Sequence, residues 1–101
     1  MGVAEHLCAR RVYQPGGRHL TWDAFASNDE PQNLVAHFKF RLGEPGFSAQ
    51  GDGGIWRLPA GAPTPTRTLT ILRTGTLGPH DDCEKKPAAT AKSVLILSRD
   101  H

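Results

Sequence analysis

Long apolar runs are missing from this chain. The longest is Val94-Leu95-Ile96-Leu97, far short of the roughly 20 apolar residues that cross a bilayer as a helix, so no membrane partner is expected. Metal-binding spacing is missing too, with no Cys-x-x-Cys and no His-x-x-x-His pair. No Gly-x-Ser-x-Gly elbow marks a nucleophile. The glycine cluster Gly51-Asp52-Gly53-Gly54 leads into strand-like residues, and no Gly-Lys-Ser/Thr follows. It therefore reads as a turn, because a phosphate loop must open onto a helix N-terminus. Charge of one sign does not dominate: twelve basic residues face ten acidic ones. The basic residues are spread along the sequence without interleaved aromatics, which argues against nucleic acid as a partner. Residues 1–6 have neither a basic n-region nor an apolar h-region, so no signal peptide is expected in the sequence as it stands.

What is present suits one small domain over residues 1–101. Such a chain buries about two-thirds of its unfolded surface, and 38% apolar residues make a modest core. Eleven glycines and eight prolines predict short strands and many turns. Residues 9–13 read as a strand, followed by the turn Gln14-Pro15-Gly16-Gly17. In residues 19–26, Leu20, Trp22, Ala24 and Ala26 alternate with His19, Thr21, Asp23 and Phe25, which predicts a strand in a hairpin with the first. Further strands are predicted at 47–50, 55–58, 66–74 and 93–99, the last apolar on both faces and so central. Residues 75–91 read as a long polar loop.

One helix is predicted over residues 30–42. Asn28 or Asp29 is its expected cap, with Gln32 at capping-box spacing from Asp29 and Pro31 tolerated in the first turn. Leu34, Val35, Phe38 and Leu42 form one apolar stripe, expected in the core. Gly43 and Pro45 stop the helix. The fold class expected is α+β: one helix on an antiparallel sheet of about five or six short strands, in the order β-β-α-β-β-β-β.

Few residues suggest chemistry. Cys8 and Cys83 lie near the ends of expected elements, where a bridge would tie the N-terminal arm to the long loop and stabilise by roughly 4 kcal/mol. The alternative is two free thiols in a reducing compartment. The location expected is therefore cytoplasmic by default, and extracytoplasmic if Cys8 and Cys83 are joined. His80-Asp81-Asp82-Cys83 contains metal-ligand types, but adjacent residues point apart, so a solvated turn is expected. His37 sits at the edge of the helix stripe and is read as packing or facing water. Phe40 lies opposite the stripe, which suggests a partner surface or a covering segment.

The stretch from His19 to Arg99 resembles one βαβββ module of the vicinal-oxygen-chelate, or glyoxalase-like, family. The matching residues are His19-Leu20-Thr21, Asp29, and His37-Phe38-Lys39-Phe40-Arg41-Leu42-Gly43. The resemblance implies a sheet face that binds a small molecule or a metal, with His19 pointing inward as a ligand. It departs from the family where residues 93–99 lack the glutamate ligand, so His19 alone carries over.

The leading expectation is a non-enzymatic binding or interaction domain using a sheet face or the Phe40 side of the helix, with no cofactor. Its partner is a protein or small molecule, a second copy of the chain included. The rivals are a glyoxalase-like small-molecule binder or metal enzyme, and a secreted structural domain tied by Cys8 and Cys83.

Overall fold

The computed structural model describes residues 4–100. These form one six-stranded sheet, one α-helix and two short 3-10 turns. The strands are β1 (Glu5–Tyr13), β2 (His19–Ser27), β3 (Phe47–Gln50), β4 (Gly53–Leu58), β5 (Arg67–Arg73) and β6 (Ser93–Asp100), and the helix α1 is Pro31–Leu42. The spatial order is β1-β2-β6-β5-β4-β3, with every neighbouring pair antiparallel. The expected α+β class and element order are the ones observed.

The double-sided character of β6 places it between β2 and β5. Leu95 packs on the helix side with Leu34, Trp56, Leu69 and Ile71, where Phe25, Val35, Phe38, Phe47 and Leu58 close the cluster. Val94 and Ile96 point the other way, to Leu7, Cys8, Trp22, Ala24, Ala26, Cys83 and Ala91. Two cores therefore share one sheet: one beneath α1, the other beneath the segment between β5 and β6. That segment is not a free polar loop. It makes a 3-10 turn at Pro79–Asp82 and buries His80, Cys83 and Ala91. Short bonds fix it: the Gly78 N–H donates to Asp81 Oδ2 at 3.0 Å, and Lys86 Nζ donates to the Asp81 carbonyl at 2.6 Å.

The first strand is longer than the sequence pattern suggested, and Cys8 lies inside it. A bulge between His6 and Cys8 shifts the register, so that Leu7 and Cys8, adjacent in sequence, both reach the loop-side core. Cys8 and Cys83 are joined there, with Cα atoms 5.7 Å apart.

The helix ends at Gly43 as expected but differs from expectation in its N-cap and in the burial of its last turn. Its N-cap is Glu30, without a side-chain cap bond. Asp29 does not take that role: its backbone N–H is instead engaged by Ser27 Oγ at 3.1 Å. At the C-terminus the Gly43 N–H donates to the Lys39 carbonyl, and the Gly43 carbonyl accepts from Trp56 Nε1 at 3.0 Å. Leu42 is not a core residue. It is 39% exposed, whereas Leu34 at the start is buried.

The turn joining β3 to β4 is tighter than expected: Gln50 pairs with Gly53, leaving only Gly51 and Asp52 between. Gly53 and Gly54 are strand residues, held there by close backbone approach. A Cβ on Gly53 would collide with the Ile71 carbonyl, and one on Gly54 with the Phe47 ring. An ion network pins this hairpin to the helix start. Arg73 Nε donates to Asp52 Oδ2 at 2.6 Å and its Nη2 to Glu30 Oε2 at 2.8 Å. The hydrogen bond from Arg73 holds the Glu30 carboxyl below its ordinary pKa, aided by the charges of Arg73 and Lys92 against desolvation.

Candidate functional site

Cross-strand partners lie on the same face of an antiparallel sheet, so rows of partners show what each face carries. One helix-side row runs Ala9, Asp23, Leu97, Leu69, Trp56, Phe47. Its β5–β4 half is sealed beneath α1, with Trp56 fully buried and Leu69 at 4% exposure. Its β6 member Leu97 is 47% exposed. A helix with its side chains is about 10 Å across, whereas a six-stranded sheet is about 24 Å across between its outer strands. One helix packed on β4 and β5 covers Leu95 and Phe25 but leaves the far end of β1, β2 and β6, from Leu97 outward, bare.

The next row toward the bare end is Arg11, Thr21, Arg99, Arg67. These residues line a hollow of about 450 Å³ together with Asp23, Leu97 and Ser98. Arg11, Arg67 and Arg99 are exposed at its rim, and none of them is in an ion pair among the described residues. The nearby acids are engaged elsewhere. Asp23 Oδ1 is 2.9 Å from His6 Nε2, and Asp100 Oδ2 accepts from Arg18 Nη2 at 2.9 Å. The row beneath it, on the loop side, is Arg10, Trp22, Ser98, Thr68, Arg57. Six of the chain's eight arginines, Arg10, Arg11, Arg18, Arg57, Arg67 and Arg99, thus gather at one end of the sheet, and no lysine sits in either row. The basic residues are dispersed only along the sequence; antiparallel register brings them together in space. The pattern was findable in the sequence only by someone who already knew the pairings.

The other residues singled out from the sequence fall apart from one another. His19 begins β2 on the helix-side face with Thr21 and Asp23, its ring 6.1 Å from that of Tyr13. No group of three or more His, Cys, Asp or Glu side chains among the described residues is placed to hold a metal ion. His80 is buried within its loop, Cys83 is spent in the disulfide, and Asp81 caps the Gly78 amide, so His80-Asp81-Asp82-Cys83 is a folded turn. His37 contacts the edge of Phe38. Phe40 is 88% exposed, on the helix face turned away from the sheet. The N-terminal arm does not cover Phe40: its residues from Glu5 onward are committed to β1, paired with β2 at the opposite side of the sheet.

No helix among the described residues is long and apolar enough to cross a membrane. Comparison with protein-family models, curated proteins and solved structures finds no significant match.

Proposed function

We propose that this protein is a non-enzymatic binding domain whose recognition surface is the bare helix-side end of the sheet, formed by the end of β1, the start of β2, the end of β6 and the start of β5. The observation that supports it most is the exposure of Leu97. It belongs to a strand paired on both sides, in a row whose other half is fully packed. A fold that seals Trp56 and Leu69 leaves Leu97 open in a hollow, with polar side chains around it. That combination, an apolar contact with a few convergent polar groups, is what small-molecule sites are made of. The volume of about 450 Å³ is also in the range such sites occupy. The same face would serve a glyoxalase-like binder, since His19 alternates onto it. The joined Cys8 and Cys83 favour an oxidising compartment for this domain.

The test is amide chemical-shift mapping of the labelled protein against a mixed library of acidic, basic and neutral fragments. Perturbations concentrated at Ala9, Arg11, Thr21, Asp23, Leu97 and Arg99 are the expected result. Perturbations confined to α1 around Phe40, or absent from the sheet, would overturn the reading.

A further inference from the structure

We infer that the ligand of this face carries a tetrahedral oxyanion, a phosphate or sulfate ester, bound between Arg67 and Arg99 with Arg11 reaching a second negative group. The inference rests on the reading of the bare face as the recognition surface. Arg67 and Arg99 are direct cross-strand partners on adjacent strands, about 5 Å apart at the backbone. Like charges in that position destabilise a sheet, and among the described residues no acid pairs with either of them. This protein does pair an arginine fully where structure requires it: Arg73 binds both Asp52 and Glu30. The unpaired state of Arg67 and Arg99 is thus a local conflict in an otherwise consistent surface, and such conflicts are expected at sites of function.

A bound oxyanion between the two guanidinium groups converts that repulsion into attraction. The residue type also fits. A guanidinium offers a planar fork that grips two oxygens of a phosphate or sulfate at once, whereas the compact ammonium of lysine, absent from the row, does not. Arg11 lies two strands from Arg99, with the shorter Thr21 between them. That leaves a dip about 10 Å wide between two long basic side chains. Leu97 and Asp23 adjoin the dip, and supply an apolar contact and an acceptor for the uncharged part of a ligand. The arrangement therefore selects a small molecule with one strongly charged group and a second charge nearby.

The experiment uses inorganic phosphate, sulfate and pyrophosphate as probes, titrated into the whole protein at constant ionic strength against a chloride control. Melting temperature and amide shifts are read together. Pyrophosphate should raise the melting temperature more than phosphate or sulfate. A preference between phosphate and sulfate identifies which ester class is bound. Arg67→Gln and Arg99→Gln should each weaken binding roughly tenfold or more. Arg41→Gln, on the helix, and Arg10→Gln, on the opposite face, should leave it unchanged. In anion-free buffer Arg99→Gln should melt slightly higher than the parent, which separates lost binding from lost folding. No response beyond chloride, or equal binding by the Arg67 and Arg99 variants, overturns the inference. So does equal weakening by Arg10→Gln and Arg57→Gln accompanied by tight binding of single-stranded DNA or heparin, which would mean a polyanion straddling the sheet end. If neutral fragments map to this face while none of the three anions does, the oxyanion inference fails and the recognition surface stands.

Discussion

Breaking the link between Cys8 and Cys83 should be the most damaging change that leaves the binding face untouched. The two residues are 75 apart in sequence. On the chain-entropy account, a loop of that length restrains the unfolded chain by about 4.5 kcal/mol at 25 °C. Both sulfurs sit in the loop-side core, with Cys83 at 1% exposure, so a Cys8→Ala/Cys83→Ala variant also loses roughly 1 kcal/mol of packing. The entropy of unfolding for a domain this size is about 0.2 kcal/mol/K, so the two losses together should lower the melting temperature by about 25 °C. The loss is large against a typical total of about 5–15 kcal/mol. Thermal melts followed by circular dichroism measure the fall, and urea titration adds a second readout. Because the restraint acts on the unfolded chain, opening it exposes more surface on unfolding, and the urea m-value should rise. A fall of less than about 5 °C with an unchanged m-value would refute the reasoning. It would show that the segment between β5 and β6 is held on the sheet by packing alone.

Gly53→Ala should destabilise by about 3 kcal/mol, because the added methyl meets the Ile71 carbonyl and the backbone must move; chemical denaturation checks it. Phe40→Glu should change stability by less than about 0.5 kcal/mol and leave oligomeric state and anion response unaltered; light scattering and the anion titration check both. Glu30 is the clearest pH-sensitive group. Its carboxyl is lowered from an ordinary value of 4.5 chiefly by the hydrogen bond from Arg73, so it adds stability above that value, and this is lost as pH falls through the lowered folded value. Arg73→Gln should return Glu30 toward the ordinary carboxylate range and flatten that part of the acid-unfolding curve, which carbon-detected carboxyl titration would follow.

The parts of this protein that depend on near neighbours were legible in its sequence. The helix was marked by the spacing of Leu34, Val35 and Phe38 and by the stop at Gly43 and Pro45, because helical contacts join residues three and four apart. The strands were marked by alternation, and β6 by its apolar residues on both faces, because side-chain direction has a period of two. Leu42 and the N-cap depart from the sequence pattern, since which part of a helix stripe meets the sheet and where its first acid finds an arginine are tertiary matters. The loop between β5 and β6 looks merely polar in the sequence because its burial comes from Cys83, His80 and Ala91 packing against the sheet, not from any local period.

The candidate site was illegible for the same reason in its strongest form. Arg11, Arg67 and Arg99 are separated by dozens of residues and look dispersed along the chain. Only the pairing of β1 with β2, β2 with β6 and β6 with β5 sets them in one row, and a slip of one residue in any pair would send an arginine to the other face. The sequence by itself determined that a helix and strands would form. Tertiary structure decided which face of the sheet stayed open and which charges faced each other across it, because strand register is fixed by long-range packing.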